Sequence, residues 1–211
     1  MQWGIHHAFR AFLKLASALR LIRVTLRGAD RLAGAGACVI VANHPTLLDV
    51  VLLVALLPQA DCVIKASAWR NPYFRRIVRA AGYVPNSDGP ELLAACVARI
   101  QNGRRLLLFP EGTRSPRDGG IAGFHRGAAR IALASGCDIV PVVIRCDPPT
   151  LGKGERWFHV PDRVISLTVE VETAVRPLRR PGETARGALA SREITNELQH
   201  FYRRRLSDVT S

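Results

Sequence analysis

The chain has 211 residues, enough for one domain with a substantial core. Charged residues at 22% and hydrophobic residues at 48% exclude the disordered and fibrous classes. The net charge of +13, from 30 Lys and Arg against 17 Asp and Glu, favours a polyanionic partner: nucleic acid, anionic lipid or a phosphorylated substrate.

Residues 1–31 carry Arg10, Lys14, Arg20, Arg23, Arg27 and Arg31 against Asp30 alone. Phe9, Phe12, Leu13, Ala16 and Leu19 recur at helical spacing, with the first three basic residues largely off that stripe. This predicts an amphipathic segment over 1–31 that lies in a bilayer interface or packs on its own domain. Near anionic headgroups each basic side chain contributes on the order of 1 kcal/mol. Arg10, Lys14, Arg20 and Arg23 interrupt Ala8–Leu26 too often for a spanning helix. They also break up the apolar part of any signal peptide, and none is expected.

From residue 37 the pattern predicts strands at Cys38–Ala42, Asp61–Lys65, Arg105–Phe109, Ile139–Ile144 and Val164–Val171. Helices are predicted between them at Leu48–Leu57, Asn71–Ala81, Pro90–Gln101 and Arg126–Ser135, several bounded by Gly or Pro. A basic helix, Glu183–Leu206, closes the chain with Arg203, Arg204 and Arg205. Such alternation implies an α/β sandwich around a central sheet, with 32–211 as a single domain. The five cysteines (Cys38, Cys62, Cys96, Cys137, Cys146) have no C-x-x-C spacing, which argues against a disulfide framework or a zinc site and for a reducing compartment.

Two segments carry candidate chemistry. In Asn43-His44-Pro45-Thr46-Leu47-Leu48-Asp49, proline biases His44 toward an extended conformation at the end of a strand. Asp49, in the first turn of the next helix, can reach back to the imidazole, fix its tautomer and stabilise the imidazolium. By spacing alone, a helix-capping Asp49 beside an ordinary loop histidine is the commoner arrangement. The second segment, Phe109-Pro110-Glu111-Gly112-Thr113-Arg114-Ser115, follows another predicted strand. It places a carboxylate, a glycine turn, a hydroxyl and a guanidinium where α/β sheets form ligand sites. Arg114 has the planar fork suited to phosphate.

The pair NHPTLLD and FPEGTRS resembles the glycerolipid acyltransferases typified by bacterial 1-acyl-glycerol-3-phosphate acyltransferases. So do Phe124-His125-Arg126-Gly127-Ala128-Ala129-Arg130 and Ile139-Val140-Pro141-Val142, and the resemblance covers residues 37–145. It implies an acyltransferase-like α/β sandwich with a mixed central sheet flanked by helices. It further implies transfer of an acyl group from coenzyme A or acyl carrier protein to a lipid hydroxyl, with His44 as general base and Asp49 as its partner. Glu111, Gly112, Thr113 and Arg114 carry over as acceptor-binding residues, with Arg126 in the basic Gly-Ala block and Pro141 in an acyl-side or structural role. The family's second block usually supplies an arginine where this chain has Asn86 in Gly82-Tyr83-Val84-Pro85-Asn86. Lys65, Arg75, Arg76 and Arg79 are the candidates to compensate.

The implied partners are membrane lipids and the thioester donor, at the cytoplasmic face of an inner membrane. No cofactor is expected beyond the donor substrate, and no metal, since two ligands without a third do not make a site. No aromatic-basic or zinc-finger signature supports nucleic acid. The chain has no G-x-S-x-G elbow, so no acyl-enzyme is required. A different lysolipid or glycolipid acceptor, or a silent lipid-binding homologue, remains open as an alternative.

Overall fold

The computed structural model describes residues 2–65, 75–86, 89–155, 161–177 and 187–207. In chain order these form α1 (Gln2–Ala18), β1 (Ile22–Arg27), α2 (Ala29–Gly34), β2 (Cys38–Ala42), α3 (Leu48–Leu56), β3 (Ala60–Lys65), α4 (Arg75–Ala80), β4 (Val84–Asn86), α5 (Pro90–Gln101), β5 (Arg105–Leu108), α6 (Gly127–Ser135), β6 (Asp138–Asp147), β7 (Ile165–Val171) and α7 (Gly187–Ser207).

The strands make one seven-stranded sheet in the order β1-β7-β6-β2-β5-β3-β4. β2 runs parallel to β5 and β6, β3 parallel to β5 and β4, and β1 parallel to β7, whereas β6 and β7 are antiparallel. The sheet is therefore mixed, as expected. Central β2 is buried along its whole length, and its side chains alternate between two cores. Cys38, Ile40 and Ala42 join α1 and α3 on one face, and Val39 and Val41 join α5, α6 and α7 on the other. A strand covered on both faces reads as a continuous apolar run, which is why Cys38–Ala42 is so plain in the sequence.

The N-terminal region differs from expectation. The helix ends at Ala18, and Ile22–Arg27, within the 1–31 segment read as helical, is a strand paired with β7. Here the alternation of Ile22, Val24 and Leu26 with Arg23, Thr25 and Arg27 has a period of two, and pairing with a partner some 140 positions on decides it. Residues 1–31 are therefore no separate unit: β1 completes the sheet of the same domain.

The apolar stripe of α1 is divided as well. Leu13 and Ala16 are buried and Phe9 packs beside them, while Phe12, Leu15 and Leu19 are 49%, 61% and 60% exposed. Two polar anchors hold α1 down. His6 Nδ1 lies 3.0 Å from the Val54 carbonyl, and Gln2 donates to Asp61 and to the Ala81 carbonyl. Buried Asp61 also accepts from Arg99 and Arg104. Burial acts to raise its pKa, but the bonds from Arg104, Gln2 and Arg99 outweigh burial and hold the carboxyl below its usual range.

Candidate active site

β2 and β5 are parallel neighbours, so their carboxyl ends open on the same edge of the sheet. Ala42 leads into Asn43-His44 and Leu108 into Phe109–Ser115, and the two segments meet there. His44 Nδ1 lies 2.8 Å from Asp49 Oδ2, which also accepts the Thr46 backbone N–H at 2.9 Å. The aspartate accepts from the ring, so Nδ1 carries the proton and Nε2 is left basic. The imidazole stacks on Phe109, with ring centroids 4.3 Å apart and planes at 26°. The His44 side chain is 15% exposed, and the Asp49 side chain is fully buried. Burial pushes the Asp49 carboxyl from 3.8 up to about 6, against the opposing His44 and Thr46 hydrogen bonds. Its second oxygen, Oδ1, is buried with no partner among the described residues.

The expected Glu-Gly-Thr-Arg residues take different parts. Glu111 is buried, and its carboxylate is fully engaged by protein. Oε1 accepts the His44 N–H at 3.0 Å and the Ser115 hydroxyl at 2.6 Å, and Oε2 accepts the Ala122 N–H at 2.8 Å. Gly112 sits at φ +62°, and a Cβ there would come within 3.1 Å of the His125 ring, so both the turn and the close approach call for glycine. Thr113 is partly exposed in the same turn. Arg114 donates through Nη1 to the carbonyls of Leu151 and Gly152 at 2.7 and 2.8 Å. It thus pins the loop after β6, which also accepts the Leu47 N–H through Leu151. Arg126 is exposed at the start of α6. Lys65 ends β3 in register with Asn86 of β4, although its side chain lies outside the described residues. Among the described residues no group of His, Cys, Asp and Glu could hold a metal ion.

Two residues that shape this edge escaped the sequence reading. The Asn43 side chain bonds both backbone groups of Ile144, accepting its N–H at 2.7 Å and donating to its carbonyl at 2.8 Å. The side-chain amide thereby extends the ladder one step beyond β2 as the main chain turns away to present His44. An asparagine directly after a strand was the only available signal. Tyr202 of α7 is fully buried and acts one step earlier. Its hydroxyl accepts the Val142 N–H at 3.0 Å and donates to the Val41 carbonyl at 2.6 Å, next to Pro141, which has no N–H to give. Nothing local marks Tyr202, because its partners are remote in sequence. A groove of about 830 Å³ between the start of β6, the end of β7 and α7 is lined by Ile139, Pro141, Val175, Leu189, Ile194 and Phe201. It contains neither His44 nor Asp49, and Pro141 belongs to it and to the sheet.

A profile described as Acyltransferase matches residues 23–145, more than half of the chain, and the protein belongs to that acyltransferase family. It is similar to a 1-acyl-sn-glycerol-3-phosphate acyltransferase of Helicobacter pylori, 32% identical over 52% of this chain and 48% of that protein. Against a Chlamydomonas reinhardtii protein of the same description, identity is 29% over 83% of this chain and 54% of the relative. Against a chloroplastic one from Brassica napus, identity is 27% over 66% of this chain and 42% of the relative. The chain therefore spans only about half the length of the curated relatives it matches. The fold is that of the crystal structure of the 1-acyl-sn-glycerophosphate acyltransferase PlsC from Thermotoga maritima. That match has a TM-score of 0.77 at 21% identity and covers 100% of this chain and 81% of that one.

Proposed function

We propose that the protein transfers an acyl group from a thioester, on coenzyme A or acyl carrier protein, to the free hydroxyl of 1-acyl-glycerol 3-phosphate. The observation that carries this reading is the His44–Asp49 pair at 2.8 Å, at the edge of the sheet where the Glu111–Ser115 turn meets it. His44 Nε2 removes the hydroxyl proton as the oxygen attacks the thioester carbonyl. Asp49 steadies the resulting imidazolium. The tetrahedral adduct then expels the thiolate with the electron pair of the C–S bond, and the imidazolium returns its proton to the sulfur.

The names of the similar proteins support the acceptor. Arg114 keeps guanidinium nitrogens beyond the one spent on the Leu151 and Gly152 carbonyls, and these suit a phosphate. Lys65, whose backbone is in register with Asn86, is the residue proposed to compensate for the arginine that the family usually carries there. Thr113 and Arg126 complete the proposed acceptor-binding set. Asn86 is also the observation that favours a second reading, an acceptor without a terminal phosphate. A silent lipid-binding role is disfavoured by the intact His44–Asp49 pair.

The enzyme acts at a membrane surface, on the cytoplasmic face. The exposed Phe12, Leu15 and Leu19 of the α1 region, flanked by Arg10 and Lys14, have the composition of an interfacial contact. No helix among the described residues is long and apolar enough to cross a membrane.

The test is an assay with labelled acyl-CoA and acyl carrier protein donors against 1-acyl-glycerol 3-phosphate and lysolipids lacking the phosphate, with products identified by mass spectrometry. His44→Ala should abolish product while the circular dichroism spectrum stays native. Turnover retained in that variant refutes the mechanism, and product from the phosphate-free acceptor alone refutes the acceptor.

A further inference from the structure

We propose that Glu111 and Ser115 are positioning residues that clamp the main chain of His44, and that Glu111 makes no contact with the acceptor. The inference rests on the acyl-transfer reading and gives the Glu-Gly-Thr-Arg-Ser turn a second task besides holding an acceptor.

Both backbone groups of His44 are held by this turn. Its N–H is donated to Glu111 Oε1 at 3.0 Å, with Ser115 Oγ at 3.2 Å, and its carbonyl accepts the Ser115 N–H at 2.7 Å. The Ser115 hydroxyl donates to the same Glu111 oxygen at 2.6 Å, which ties the clamp together. The other Glu111 oxygen is occupied by the Ala122 N–H at 2.8 Å, so the carboxylate faces three protein donors. Glu111 and Ser115 are each only 3% exposed.

Charge points the same way. A carboxylate accepts from donors and repels a phosphate, so an ionised Glu111 does not suit the anionic end of the proposed acceptor, whereas it suits N–H and O–H groups. Phe109 fixes the face of the imidazole and Asp49 fixes Nδ1. Once the clamp is added, Nε2 is the ring atom left to act. The Gly112 turn is what allows Glu111 and Ser115, four positions apart, to close on one point of a neighbouring strand end.

The test compares full-length wild type, Glu111→Gln, Ser115→Ala and the double variant in two measurements. In steady-state acylation of 1-acyl-glycerol 3-phosphate, each single variant should lose about 10- to 100-fold in kcat, the scale of a misplaced catalytic group, with the acceptor KM within about twofold. Because both side chains act on one backbone, the double variant should fall no more than about threefold below the worse single one. In substrate-free protein, amide exchange of the peptide spanning Ala42–Leu48 should quicken about tenfold in each single variant.

A Glu111→Gln enzyme with intact kcat and a KM raised tenfold would make Glu111 an acceptor ligand and overturn the proposal. So would exchange and kinetics indistinguishable from wild type. If Glu111→Gln does not fold, Ser115→Ala decides by the same readings. A wild type that acylates nothing refutes the function proposed above, and the exchange measurement then judges the clamp by itself.

Discussion

Replacing Asp49 by Asn separates the catalytic role proposed for the aspartate from what it costs the fold. The side chain is wholly buried beside His44, and burial raises its carboxyl from 3.8 to about 6. The folded state therefore binds an extra proton between those two values, and this group's contribution to stability falls as pH rises through the window. Summed over the window the loss is about 3 kcal/mol, of which about 1 kcal/mol is crossed between pH 5 and pH 8. In the variant, the amide oxygen keeps the Thr46 N–H and His44 Nδ1–H bonds, so the new NH₂ falls where Oδ1 now lies without a partner. That orphaned donor costs about 1–3 kcal/mol. At pH 8 the variant should thus lie between equal to wild type and about 2 kcal/mol more stable, and its relative stability should fall by about 1 kcal/mol at pH 5. Turnover should meanwhile drop by about 10³- to 10⁴-fold, or about 4–5 kcal/mol of transition-state stabilisation, because a neutral amide does not stabilise the imidazolium. Urea unfolding at the two pH values, beside the acylation assay, checks both halves. A stability gap between the two proteins that is the same at pH 5 and pH 8 would show that Asp49 does not titrate near 6 in the folded state, and the reasoning fails.

Tyr202→Phe removes the hydroxyl that bridges the Val142 N–H and the Val41 carbonyl, and urea unfolding should show a loss of about 1–3 kcal/mol. Changing Phe12, Leu15 and Leu19 together to Ser removes outward-facing apolar surface, so the melting temperature should hold while partitioning onto anionic vesicles weakens on the order of 100-fold. Undiminished vesicle binding would move the membrane contact elsewhere. This triple change is a cleaner probe than deleting residues 1–31, which would also strip β1 from the sheet.

Much of the fold was legible because its centre is buried on both faces. Cys38–Ala42 and Pro90–Gln101 occupy the predicted spans, the first as an unbroken apolar run, the second because Pro90 opens the helix. β1, α2 and β4 were not foreseen. β1 and β4 are the sheet's two outer strands, β4 has only three residues, and the period of β1 was masked by the helical stripe just before it. α2 has only six residues, too few for a periodicity to emerge.

By itself the sequence determined the two chemical segments and their places at strand ends, since proline after His44 and glycine after Glu111 are local constraints on the backbone. Only the tertiary structure decided how they are used. Parallel pairing of β2 with β5 brings Glu111 and Ser115 onto the main chain of His44, where the Glu111 carboxylate meets protein donors. Pairing of β3 with β4 aligns Lys65 with Asn86, and α7 returns Tyr202 to the strand that leads to the histidine. Each of these partnerships joins residues far apart along the chain, where no spacing rule reaches. Hydrogen bonds between remote backbone and side-chain atoms are settled by sheet order and register, which emerge when the two cores pack.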